Sequence, residues 1–202
     1  MDPTAGLIVG TGWASGINLY GVVALLNIYG RLGLGDLPEG LTSTPVLIGS
    51  LVMYSLEFVA DKIPYLDNVW DLVHTAIRPI GAGILGLVLT GEAEGLNQAV
   101  AAFGSAGLAL TSHAAKSTSR VAINTSPEPI SNVVVSLAED GLVAVVTYFA
   151  LEHPLIAVVA VAVLLILGVL LIRALVGMAY RGVRKVRSLW RQLTVPGDPS
   201  AS

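Results

Sequence analysis

The chain contains no cysteine, which excludes disulfides, thiolate metal sites and cysteine nucleophiles. Charge is scarce as well. Only 12% of the 202 residues are Asp, Glu, Lys or Arg, about half the usual share in a soluble domain. The standard enzyme constellations are also missing. There is no Gly-x-Ser-x-Gly elbow, no His-Glu-x-x-His and no Walker loop. Gly10-Thr-Gly12 opens an apolar helix with no strand before it, so it is not a dinucleotide fingerprint. These absences argue against an enzyme and against a resident cofactor. A net charge of −3 says little about partners and gives no reason to expect nucleic acid.

What is present is apolar. Hydrophobic residues make up 54% of the chain, with a mean hydropathy of +0.76. They fall in several long runs instead of marking one buried core, which predicts an all-α, polytopic membrane bundle of about six transmembrane helices. The opening Met1-Asp-Pro-Thr-Ala-Gly6 has no positive n-region, so the first run reads as a retained span.

The first run, Gly6 to Tyr29, is rich in small residues. Gly12 and Gly16 form a small-xxx-small pair, and Asn18 and Asn27 add polar groups, so this helix should pack against protein. The second, Pro45 to Ala60, is short for a span. The third starts near Asp71 or Leu72, ends at Thr90, and carries Arg78-Pro79, where a kink or break is expected. The fourth runs from Leu96 to about His113, followed by a polar stretch to Arg120 and the turn signal Ser126-Pro-Glu-Pro129. The fifth, Ile130 to Leu151, is interrupted by Glu139-Asp140-Gly141. The sixth, Pro154 to Tyr180, is the most lipid-like and completes a transmembrane domain over residues 1–180. Residues 181–202 form a basic amphipathic tail, with Trp190 as an interfacial anchor and a disordered end from Pro196.

Lys and Arg set the expected orientation. The basic tail belongs in the cytoplasm, together with the segments near Lys62 and near Lys116/Arg120. The loops with Asp36/Glu39, Glu92/Glu94 and Glu152/His153 fall outside. Six spans then place both termini in the cytoplasm. Hairpins 2–3 and 4–5 share polar punctuation, consistent with a parallel internal repeat containing broken helices. A 56-residue offset matches Glu57 to His113, and a 61-residue offset matches Arg78 to Glu139.

The polar residues form three groups. Arg78 lies several residues into span three, at the depth of Glu139 and Asp140 in span five. A lone charge there costs roughly 3 kcal/mol on insertion scales, so Arg78 should pair with one of the two acids, either as a static strut or as part of a site. One acid is then left for a proton, a cation, Lys62, Lys116 or Arg120. Glu57 and Asp61 are one helical turn apart, and Asp67, Asp71 and His74 repeat that spacing. Oxygen ligands with one imidazole suit a hard divalent cation or a proton relay, so the metal question is open; the same residues at headgroup level would merely cap helices. His113, Lys116 and Arg120 recur at three- and four-residue spacing and suit either an anion or lipid phosphate.

The segments Glu57-Phe-Val-Ala-Asp-Lys-Ile-Pro-Tyr-Leu-Asp67, Trp70-Asp71, Ser112-His-Ala-Ala-Lys-Ser-Thr-Ser-Arg120 and Ser126-Pro-Glu-Pro129 resemble the signature segments of a group of small bacterial membrane proteins, the domain-of-unknown-function family 4126. The resemblance covers Gly6 to about Val176 and implies architecture without an activity. A fainter likeness is to cation exchangers with Glu-x-Gly-Asp-Lys-Ser/Thr repeats. Glu57 to Lys62 departs from that motif by one extra residue and the missing glycine.

These readings converge on a small secondary transporter or channel in the bacterial cytoplasmic membrane, coupled to a proton or cation. The ends of spans two and four would meet near Arg78, Glu139 and Asp140 to form its pathway. The alternative is a scaffold or assembly factor whose basic tail holds lipid or a cytoplasmic partner. A 20.9 kDa chain has little protein with which to enclose a pathway, so a homodimer is expected, with Gly12 and Gly16 at its interface.

Overall fold

A computed structural model describes residues 3–91, 95–125 and 129–194. The expectations for Glu92, Glu94, most of the Ser126–Pro129 turn and the disordered end fall outside those residues. The chain is all-α: α1 (Pro3–Arg31), α2 (Thr44–Ala60), α3 (Leu66–Thr90), α4 (Gly95–Ile123), α5 (Pro129–Glu152) and α6 (Pro154–Thr194), with no strand among the described residues. Four of them, α1, α3, α5 and α6, are long and apolar enough to cross a membrane. The outer surface fits that setting. Leu72, Ile80 and Ile84 on α3 and Val163, Ile166 and Leu170 on α6 are exposed, whereas the buried set includes Glu57, Asp71, Arg78, Lys116 and Arg120. This is the reverse of a water-soluble domain, and it suits a lipid solvent.

The centre of the bundle is α1, against which every other helix packs. It is not one straight span. Asn18 has φ −151° and ψ 95°, which breaks the helix into limbs of residues 3–17 and 19–31. The first limb descends along α5 with Gly6 against Pro154 and Gly10 against Ala150. The second returns along the same helix, with Asn18 bonded to Asp140 and Tyr29 against Tyr148. Thr4 and Thr90 line one cavity, and Gly35 abuts Leu151, so both ends of α1 lie at the same end of the bundle. α1 therefore enters the bundle and turns back.

Thr4 and the Ser188 end of α6 therefore lie at opposite ends of the bundle. The reversal is possible because the small residues let α1 sit deep inside. A methyl group at Gly16 would come within 2.0 Å of Ser112 Oγ and 2.1 Å of the Ala109 carbonyl oxygen, and one at Gly12 within 2.9 Å of Ser105 Cα. The small-residue face expected at a dimer interface is filled by α4 of the same chain.

Three more boundaries differ. α3 begins at Leu66 and continues through Pro79, so the helix break expected at Arg78-Pro79 falls at Asn18 in α1. α4 does not stop at His113 but runs to Ile123, because its polar residues face buried partners. α5 is unbroken at Glu139-Asp140-Gly141. The basic tail continues α6 as one helix of 41 residues, and Arg181, Arg184, Lys185 and Arg187 on it are exposed.

Candidate functional site

Arg78 is the central residue of the 25-residue α3, roughly 18 Å from either end at the α-helical rise. The polar cluster around it is therefore centred on the middle of α3 and not on either of its ends. α3 turns Asp67, Asp71, His74 and Arg78 to one buried face at i, i+4, i+7 and i+11, the stripe that one side of a helix presents. α4 does the same with Ser112, His113, Lys116 and Arg120. α2 ends here, with Glu57 in its last turn and Asp61 just beyond. Glu139 and Asp140 face in from α5.

The Arg78 guanidinium donates from Nη2 to Glu57 Oε1 at 2.8 Å, while Nη1 lies 3.1 Å from Asp71 Oδ1. Nη1 also donates to the Gly16 carbonyl at 3.2 Å and to His113 Nδ1 at 2.6 Å. Arginine cannot accept, so His113 Nδ1 is the unprotonated nitrogen and Nε2–H faces the Thr75 hydroxyl at 3.1 Å. Lys116 Nζ donates to Asp61 Oδ2 at 2.6 Å and to the Ile17 carbonyl at 3.0 Å, and lies 3.6 Å from Glu57 and 4.0 Å from Glu139. Arg120 pairs with Glu139, and its Nη1 donates to the Asp61 carbonyl at 2.8 Å and to Asn132 Oδ1 at 2.7 Å.

The break in α1 is built into this network. Gly16 and Ile17 end the first limb, and their free carbonyls take Arg78 and Lys116, so cations sit at the negative end of that half-helix. Asn18 caps the second limb by accepting from the Gly21 N–H at 2.8 Å. Its amide donates to Asp140 Oδ1 at 3.1 Å.

The remaining candidates lie around this core. His74 donates from Nδ1 to the Trp70 carbonyl at 2.8 Å, which leaves Nε2 to accept from the Tyr20 hydroxyl at 3.1 Å. Asp67 accepts from the Asn124 amide at 2.8 and 2.9 Å, about three turns from Arg78 along α3. Lys62 donates to the Phe58 carbonyl and to Ser136 Oγ, with its ammonium over the Phe58 ring.

The expected pairing of Arg78 with Glu139 or Asp140 is not found: neither acid forms an ion pair with it. Arg78 turns toward α2, while Arg120 and Lys116 take Glu139. His113, Lys116 and Arg120 form neither a lipid-facing collar nor an open anion site, because carboxylates from the α2 end and α5 already occupy the two cations. Among the described residues no group of three or more acids or histidines is arranged to hold a metal ion. The roles of Asn18, the Gly16 and Ile17 carbonyls and Asn132 were missed. The only sequence signal for them was an asparagine, a strong N-cap residue, amid glycines in an apolar run.

Among the described residues, Glu57, Asp61, Asp71, Glu139 and Asp140 gather around Lys62, Arg78, Lys116 and Arg120, one fewer cation than carboxyls. Glu57 Oε2, Asp61 Oδ1, both Asp71 oxygens and Asp140 Oδ2 are buried with no hydrogen-bond partner, as are Arg78 Nε and Arg120 Nε. Burial without a partner costs free energy, and more for a charge than for a neutral group. The arrangement can therefore hold protons or take a small polar guest.

The chain's sequence matches the profile of a family described as Domain of unknown function (DUF4126) over residues 5–174. No curated protein and no solved structure matches it.

Proposed function

Because the chain belongs to the domain-of-unknown-function family 4126, whose description assigns no activity, the site must carry the functional reading, and we propose a small secondary transporter or channel for an ion or small polar solute, coupled to a proton or cation. The observation that carries this is the excess of buried and half-buried carboxyls at the break of α1, several of their oxygens without a hydrogen-bond partner. A static strut would be built from balanced pairs, since each uncompensated charge in the bilayer costs about 2.5–3.5 kcal/mol even on insertion scales. Discontinuous helices with free carbonyls at mid-depth are also where transporters place their sites.

In this reading the protein sits in the bacterial cytoplasmic membrane. Positive-inside asymmetry puts Arg181, Arg184, Lys185 and Arg187 in the cytoplasm. The end bearing the N-terminus, Asp36, Glu39 and Glu152 then faces outward. A homodimer fits the small size of the chain, and its mass in nanodiscs tests that part.

The deciding experiment reconstitutes the purified protein in liposomes and follows protons, divalent cations and small anions. The expected result is flux of at least one of these, reduced at least tenfold by Glu57→Gln. Silence across the panel, with capture of a partner through residues 181–194, would replace transport by the scaffold reading, which the exposed helical tail favours.

A further inference from the structure

Glu139 and Asp140 are neighbours in sequence, and on a helix neighbours do not face the same way. Here they serve different cavities. Asp140 closes the inner end of a cavity of about 190 Å³ between α2, α5 and the second limb of α1. Gly21, Ala24, Leu25 and Ile28 line it turn by turn toward the Arg31 end. Glu139, with Lys116, lies in a second cavity of about 210 Å³ between α4, α5, α6 and the first limb, where Thr111, Ser112 and Ser119 supply hydroxyls. Toward the tail, a further cavity lined by Thr118, Thr125, Leu175 and Ala179 continues the α4–α6 seam. The first cavity thus lies along the second limb of α1 and the second against the first limb, with the break at Asn18 between the limbs.

We propose that Asp140 and Glu139 are the two ports of a proton route, Asp140 reached from the Arg31 end and Glu139 from the tail end. This rests on the transport reading above and names the proton as its coupling ion. A proton arriving from the Arg31 end adds to Asp140 Oδ2, the buried oxygen that has no partner, while Oδ1 keeps the Asn18 amide. A proton leaving toward the tail departs from Glu139, whose carboxylate Arg120 and Lys116 then hold. The groups facing Asp140 are Tyr54 from α2, Lys62 and Asp61 from the following turn, and Lys116 from α4. Those facing Glu139 are Lys116 and Arg120 from α4 and Asp61. The walls contributed by α6 and the first limb of α1 carry no titratable side chain.

The test uses the cysteine-free chain in sealed vesicles of known orientation, with a membrane-impermeant thiol reagent. Ala144→Cys lies in the first cavity and Ser119→Cys in the second, and both variants keep all the carboxyls. The proposal expects A144C to react only from the Arg31 face and S119C only from the tail face. In liposomes, Asp140→Asn and Glu139→Gln should each reduce proton flux at least tenfold. Reaction of both cysteines from one face, reaction of neither, or wild-type proton flux in D140N would overturn the two ports and leave any measured solute transport standing. A wild-type chain that moves nothing would sink the transport reading and this inference together.

Discussion

Glu57 shows best what a single residue does here. Its side chain is fully buried, and Oε1 is shared by Arg78 at 2.8 Å and Lys116 at 3.6 Å. Removing one member of a buried ion pair typically costs about 3–5 kcal/mol, because the survivor stays desolvated. Glu57→Gln and Arg78→Ala should each lower the unfolding midpoint in detergent by a loss of that size. A double-mutant cycle on Glu57 and Arg78 should show strong coupling, whereas the Arg78 and Glu139 cycle should be additive. Additivity in the first cycle would mean that the pair is not energetically joined. At this scale the sequence was informative about which polar residues share a helix face. Asp67, Asp71, His74 and Arg78 do share one buried stripe, as do His113, Lys116 and Arg120. It could not give the partners. Spacing fixes depth along a helix, but a partner also depends on how neighbouring helices are rotated, and that is set by packing across the whole bundle.

Among the elements, α1 differs most from expectation. Its break relies on Asn18, whose replacement by alanine removes an N-cap worth about 1 kcal/mol and also leaves Asp140 without its amide. Asn18→Ala should therefore destabilise the bundle by more than a cap alone, read as a lower midpoint in a denaturing-detergent titration. Gly16→Ala should be worse, since the new methyl group meets Ser112 and the Ala109 carbonyl. Gly104→Ala in α4 and Gly141→Ala in α5 meet nothing within 4 Å, and alanine is the better helix former by about 1 kcal/mol. Those two should be neutral or stabilising. If Gly16→Ala behaved like them, the close approach of α1 and α4 would be wrong. Proline drew attention to α3, yet α3 runs through Pro79. The signal at Asn18 was weaker because a buried asparagine has many uses, and only the neighbouring carbonyl acceptors and Asp140 show which one applies.

For the whole molecule, the reversal of α1 decides which segments share a face. Cysteines at Asp36 and Glu152 should label from the same side as a tag ahead of Thr4, and one at Ser188 from the other side. An N-terminal tag on the side of Ser188 would restore a straight first span. The six helices and their apolar exterior were legible from hydropathy, but the reversal of α1 was not, because hydropathy cannot tell a straight helix from one that turns back. The reversal also bears on the order of assembly. The first limb of α1 ends on carbonyls whose partners, Arg78 and Lys116, are made 62 and 99 residues later. Until then those carbonyls have no cation, and lipid offers no substitute. α1 is thus made before α3 and α4, the helices that supply the cations for its broken end, and should settle only after them. Arrested nascent chains ending after α2 should leave a cysteine at Ile17 open to aqueous reagent, and chains extended past α4 should protect it.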